Sequence, residues 1–402
     1  MAFGDFTVDR NSAKYVLGSG GDIISYATDE PAFEFNTDSS YKGLLVEPAA
    51  TNLCLQSEDI STTWSDNGTS LQQASTEETP DGDTTNKYIK LVDNNTGGGA
   101  TGFVSVSQSI TVSGGTKYTA SVFLKKDGLN WAALQASGAG SVGDASPIQY
   151  FDLLNGVTGT GSAGIQNATI VEYPNDWYRC SITWTQGAGD TSFGIAIYVA
   201  QADNAANVDL DGTSSIFIWG AQVETGPIAT SYIPTTTASV TRNKDDITLG
   251  SASSLIGQTE GTLYVEVDWR DASGADQLLF SVLDGTSDNR FLIYKLGSPA
   301  ELRMFAQANG GSAEVNQGVS SSGFSGIQKI AFAYADADFE LYRNGSSISS
   351  DTVGSLSALA TLTDIDLGQG ATGSNQANMH IRAVALFTRR LSDAECQALT
   401  TL

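Results

Sequence analysis

The sequence predicts an all-β protein of two tandem antiparallel β-sandwich domains, with an N-terminal arm before them and a short helix at the C-terminus. Three observations predict it. Apolar and polar residues alternate with a period of two through most of the 402 residues, the pattern of half-buried strands. Turn formers, 43 glycines among them, punctuate these runs at intervals of about ten residues without intervening helices, which selects sandwiches or barrels over βαβ units. The length suffices for two or three domains with cores of their own, and 40% apolar residues exclude wholesale disorder.

Residues 1–42 alternate poorly and are expected to form an arm with an edge strand. In Lys117–Lys125, Tyr118, Ala120, Val122 and Leu124 share one face, and Phe123 interrupts the polar face opposite. Trp177–Thr185 places Tyr178, Cys180, Ile182 and Trp184 together. Ile195–Val199 and Ile216–Trp219 are apolar on both faces, as in central strands. A Thr/Ser-rich stretch followed by the charged run Arg242-Asn243-Lys244-Asp245-Asp246 marks a boundary, giving units 1–42, 43–245 and 246–402. Beyond it Leu263, Val265, Val267 and Trp269 alternate with Tyr264, Glu266, Asp268 and Arg270. Asn344-Gly345 is a tight hairpin dipeptide, and His380–Phe387 is a final long strand. Ser392-Asp393-Ala394-Glu395 is a capping box, with Leu391 and Cys396 as its staple, and predicts the C-terminal helix.

A net charge of −25, spread over both halves, leaves no basic stripe for phosphates, so nucleic acid is excluded as a partner. Acidity of this kind keeps an exposed surface soluble. The other reading is divalent-cation binding. The three cysteines, Cys54, Cys180 and Cys396, have neither metal nor redox spacing and read as small buried apolar residues of a protein made in a reducing compartment. No secretion signal opens the sequence. No apolar stretch approaches the ~18 residues of a membrane span, so no membrane insertion is expected.

Catalytic signals are weak. The single histidine, His380, starts an apolar strand with no nucleophile nearby in sequence, and a structural role is expected. Forty-five acids supply any number of carboxylate pairs, so abundance alone identifies no glycosidase site. Gly97-Gly98-Gly99 lacks the Lys-Ser/Thr of a phosphate loop. The candidate metal site is a loop with Asp203, Asn204, Asn207, Asp209 and Asp211, whose side-chain oxygens suit Ca2+ although their spacing is not that of an EF-hand. Asp/Asn-rich runs are also ordinary turn chemistry. Of six tryptophans most read as core. Trp131, at a strand start after Asp127-Gly128-Leu129-Asn130, is the candidate platform for stacking on the apolar face of a sugar.

Several segments occur in an order that resembles a known domain. They are Gly43–Leu53 with Glu47-Pro48-Ala49-Ala50-Thr51-Asn52, then Trp64, Tyr118–Lys125, Phe151-Asp152-Leu153, Asn175–Cys180, Ile218–Glu224 and Ala229–Pro234. Together they resemble bacteriophage tail and virion proteins carrying a carbohydrate-binding-module-like jelly roll. Gly261–Val267, Phe339–Gly345 and the ending His380–Glu395 resemble the concanavalin A-like, or laminin G-like, jelly roll. The paired-acid strand motif of that fold's glycosidase members has no equivalent here. The resemblance implies a virion structural protein, a tail fibre or a head fibre/decoration protein, exposed on the particle and adhering to host cell-surface polysaccharide. Its other partners would be further virion proteins and copies of itself, a trimer being natural for a fibre. A capsule or exopolysaccharide depolymerase and a ligand-free capsid-stabilising or spacer protein are the two other readings. Residues 1–42 are the expected anchor.

Overall fold

The structure is a computed structural model. It describes residues 5–402 except 74–76, 86–87, 96–98, 141–143, 271–274, 322–323, 325 and 371–374, with the backbone alone at 69–73 and 88. Among the described residues every strand pair is antiparallel and one helix, Asp393–Thr400, is present. No helix among them is long and apolar enough to cross a membrane.

The first sandwich occupies the middle of the chain. One of its sheets runs Val157–Gly161, Ile148–Asp152, Trp131–Ser137, Ser192–Ala200, Thr101–Thr111, Asn207–Asp209, with Ser65–Asn67 also paired to Thr101–Thr111. The facing sheet runs Asn167–Tyr173, Trp177–Thr185, Lys117–Lys126, Ser215–Thr225, Tyr88–Asp93, Thr69–Gln73. Alternate residues meet between them: Tyr118, Ala120, Val122 and Leu124 pack with Cys180, Ile182 and Trp184, and with Ile195, Ile197 and Val199 from across the core. Cys54 and Cys180 are buried here as free thiols, and burial pushes both pKa values up. They are inert packing groups.

The second sandwich pairs two seven-stranded sheets. One runs Thr7–Asp9, Asp246–Leu249, Asp364–Leu367, Gln277–Leu283, Arg290–Leu296, Glu301–Gln307, Ala313–Ser320; the other runs Ser346–Asp351, Asp338–Arg343, Gly326–Ala335, Glu260–Trp269, Met379–Phe387, Tyr41–Val46, Phe33–Phe35. Asn344 and Gly345 make the hairpin turn with φ of 47° and 82°. The capping box is present: Ser392 Oγ accepts from the Glu395 amide and Glu395 Oε2 accepts from the Ser392 amide at 2.9 Å. Leu391 and Cys396 lie together beneath the helix.

The N-terminal segment differs from an arm. Val8 pairs with Ile247, and Leu44, Leu45 and Val46 pair with Ile381, His380 and Met379. Phe6, Val8, Leu44 and Val46 belong to the second core. The expected boundary between 42 and 43 therefore falls inside the strand Tyr41–Val46. Between these pieces the hairpin of Lys14–Leu17 and Ile23–Tyr26 crosses to the first sandwich. There Tyr15 and Ile23 cover the outer side of the facing sheet, against Phe123, Trp177, Phe217 and Trp219. This cover explains Phe123 on a nominally polar face and the doubly apolar run Ile216–Trp219.

The chain thus passes between the sandwiches four times, and one buried ionic cluster ties the crossings. Asp245 receives Arg10 Nη1 at 3.0 Å, Lys14 Nζ at 2.6 Å and the Glu47 amide at 2.9 Å. Glu47 in turn lies 3.2 Å from Lys14, 3.6 Å from Arg242 and 3.1 Å from Arg270. Burial alone would raise the Glu47 carboxyl, but Lys14, Arg242 and Arg270 hold it well below the usual range. His380 is buried among the same strands, its Nε2 2.7 Å from Glu34 Oε2. Among the described residues its Nδ1 has no hydrogen-bond partner, which suits a neutral ring donating from Nε2, since an imidazolium would leave a buried N–H unmet. Burial lowers its pKa in keeping with that state.

Candidate functional site

The sheet that carries Trp131 has a small aromatic cluster on its outer face. Ala132, Leu134 and Ala136 point into the core, so the pleat turns Trp131, Ala133 and Gln135 outward. Tyr150 and Tyr198 stand directly across from Ala133 on the two flanking strands. Ala133 and Ala200 are small, and the rings of Trp131, Tyr150 and Tyr198 cluster over them. One strand further, Phe103 lies edge-on to Tyr198 with ring centroids 6.0 Å apart, and it is 50% exposed. The result is four rings on one sheet face, of which Phe103 is exposed, Trp131 and Tyr198 are half-buried and Tyr150 is buried.

Polar groups border the row. Tyr198 donates its hydroxyl to Gln135 Oε1 at 3.0 Å. Asn207, exposed, is opposite Phe103, and Asp209, exposed, is opposite Thr101. Burial, and then the Asp203 charge, push the Tyr150 hydroxyl up, and burial does the same at Tyr198. Both phenols are therefore neutral hydroxyl donors at physiological pH. Such a face can stack sugar rings and exchange hydrogen bonds with their hydroxyls.

Trp131 lies on this face, but its ring is not free on both sides. A Cβ added to Gly159 would stand 2.6 Å from Trp131 Cζ3, so only glycine lets the strand Val157–Gly161 approach it. Asp203 fastens that strand, accepting from the Thr160 amide at 2.7 Å and the Thr160 hydroxyl at 2.9 Å. Phe103 is the more accessible ring. Its signal in the sequence is weak because it directly follows the glycine-rich stretch Asp93–Gly102.

The five candidate calcium ligands have separate employments. Asp203 holds Thr160, and Asn204 occupies a left-handed turn position with φ of 56°. Asn207 and Asp209 extend the sheet. Asp211 Oδ1 accepts from the Thr213 amide at 2.9 Å and its hydroxyl at 2.7 Å, closing an Asx turn. The neighbouring buried Asp93 takes the Gly212 and Ser214 amides at 2.6 and 2.9 Å. Among the described residues no three His, Cys, Asp or Glu side chains are grouped so as to hold a metal ion.

Comparison with known proteins gives a family-model match over part of the chain. No curated protein matches it. Among solved structures it is similar to the CBM40 of the Ruminococcus gnavus IT-sialidase bound to α2,6-sialyllactose, at 19% identity over 38% of this chain and 91% of that one, with a TM-score of 0.31. It is also similar to a heptameric SAP-like pentraxin from Limulus polyphemus, at 14% identity over 35% and 70% of the two chains, TM-score 0.30. A third is the receptor binding domain of a botulinum neurotoxin C/D mosaic serotype, at 12% identity over 39% and 40%, TM-score 0.32. Residues 241–397, which make up the second sandwich apart from its N-terminal strands, match the family model of the concanavalin A-like lectin/glucanases superfamily, laminin G type.

Proposed function

We propose that this protein is a bacteriophage virion structural protein, a tail fibre or head fibre/decoration protein, that adheres non-covalently to host-surface glycans. The observation that carries the adhesive part is the outward row of Phe103, Tyr198 and Trp131, backed by the buried Tyr150 and bordered by Gln135, Asn207 and Asp209. The lectin-type family match of the second sandwich and the phage-like order of sequence motifs support the same reading. A shallow face gives weak single-site binding, and display in many copies on a particle raises avidity by ~10²–10⁴. Catalysis has no part in this mechanism: the rings position the glycan and no bond is broken.

The test is a glycan array and host-polysaccharide binding with the intact protein. Phe103→Ala is expected to weaken binding about fivefold or more, since stacking of one exposed ring is worth ~1 kcal/mol or more, while leaving the melting temperature unchanged. Absence of binding above background, or an unaffected Phe103→Ala variant, would sink the adhesive reading and favour a ligand-free spacer. Release of reducing ends from host polysaccharide would favour the depolymerase instead. Immunogold labelling of particles decides between tail and capsid.

A further inference from the structure

The two sandwiches enclose a cleft of ≈ 280 Å³ on the side of the first sandwich away from Phe103. A second pocket of ≈ 20 Å³, space for about one water, adjoins it and shares Glu34, Tyr173, Arg179 and Arg270. The first sandwich supplies the outward residues of Asn167–Tyr173 and Trp177–Thr185, among them Thr169, Val171 and Arg179. The second supplies Arg270 and, through the N-terminal strands, Glu34 and Lys42.

The charge of this cleft is opposite to that of the molecule. In a chain of net charge −25, its walls carry the cations Lys42, Arg179 and Arg270 against the single acid Glu34. Lys42 and Arg270 have carboxylate partners, Glu34 at 3.1 Å and Glu47 at 3.1 Å. Arg179 has none. It is 8% exposed, its Nη1 and Nη2 donate to the neutral Thr230 carbonyl at 2.7 Å and Ser121 hydroxyl at 2.9 Å, and its Nε lacks a hydrogen-bond partner. Among the described residues no carboxylate stands within 4.0 Å of it. The buried Glu224 carboxyl acts on Arg179 only from beyond salt-bridge distance, and an anion entering the cleft supplies a direct partner. Val171, the cross-strand neighbour of Arg179, with Ile228 and Ala229 adds apolar lining, which a bare inorganic anion would not use. The volume lies just below the ~300–1,000 Å³ of drug-sized ligand sites, which suits a single sugar residue.

We propose that this cleft binds one carboxylated sugar residue, its carboxylate directed to Arg179 and Arg270 and its ring against Val171 and Ile228. The site lies on the opposite sheet from the aromatic row, so the two can fail separately. The test is calorimetry and saturation-transfer NMR on the full chain with methyl β-D-glucuronoside, methyl β-D-glucoside and inorganic phosphate at equal ionic strength. The glucuronoside is expected to bind at least tenfold more tightly than either of the others. Val171→Trp, which fills the mouth from a position 49% exposed, is expected to abolish that binding without unfolding the protein. Arg179→Gln should weaken it also, and Phe103→Ala should leave it intact. The proposal is overturned if the glucoside or phosphate binds as tightly, if Val171→Trp changes nothing, if Phe103→Ala removes the binding, or if the glucuronoside does not bind.

Discussion

Asp366 offers a test in which the sign and the size both come from the structure. It is 6% exposed on the strand Asp364–Leu367. Burial, followed by the charges of Asp246 and Asp364, raises its pKa from 3.8 to about 7, with only Lys244 acting the other way. A carboxyl whose pKa is raised on folding contributes nothing unfavourable below about 3.8, where both states hold the proton. As pH rises, the unfolded chain releases the proton first. Stability drains between about pH 4 and about pH 7, and the full cost persists above that. The difference of about three in pKa corresponds to a ceiling of about 4 kcal/mol. Asp366→Asn keeps the shape and abolishes the titration, so it should stabilise the protein by about 2–4 kcal/mol at pH 8 and by close to nothing at pH 4. At ~2–4 °C per kcal/mol for a domain of this size, the melting temperature at pH 8 should rise by roughly 5–10 °C. Differential scanning calorimetry at pH 4, 6 and 8 reads this directly. A gain independent of pH, or none at pH 8, would refute the argument that Asp366 is held against its charge by burial and two neighbouring acids.

Two further outcomes follow from the way the sandwiches are joined. Asp245→Ala removes the acceptor shared by Arg10 and Lys14 and strands buried cations, so chemical denaturation should show a loss of about 3–5 kcal/mol; a loss under 1 kcal/mol would contradict the clamp. Deleting residues 1–46 takes Phe6, Val8, Leu44 and Val46 from the second core, at about 1.5–3 kcal/mol each, an amount comparable with a whole domain's stability. That variant should be insoluble or lack a cooperative melting transition, and a stable, soluble product would restore the picture of a dispensable arm.

The layers of the fold were legible because each strand of a sandwich carries its own face in its alternation. Tyr118, Ala120, Val122 and Leu124 declare an inward side without reference to any other segment, and the capping box at Ser392 is equally local. The N-terminal segment was not legible, for a physical reason. Thr7–Asp9 and Phe33–Phe35 are three residues long, too short to show a period, and Val8 finds Ile247 across most of the chain. The one advance sign lay elsewhere, in Phe123 and the doubly apolar Ile216–Trp219, which require a cover on the outer face of their sheet. The candidate site divides in the same way. Trp131 could be placed outward from its neighbours Ala132 and Leu134, whereas the strand that covers it depends on Gly159 and on the Asp203–Thr160 contact between distant loops. Arg10, Lys14, Glu47, Arg242 and Asp245 look like surface charges in sequence, and only the crossings bring them together in the interior.

Those crossings bear on function through the cleft. Two sandwiches joined by one flexible linker would present its walls at varying distance, and a ligand would have to hold them together at an entropic cost. Here four passages of the chain and the Asp245–Glu47 cluster hold both walls before a ligand arrives. A buried ionic cluster is a poor source of net stability, since desolvation offsets its attractions, so its contribution is better sought in the geometry it specifies. Glu47 connects the two directly: its Oε1 anchors Arg270 at 3.1 Å while its Oε2 lies 3.2 Å from Lys14. The residues that clamp the sandwiches are thus the ones that aim a cleft cation, and a change in the clamp must be felt at the ligand.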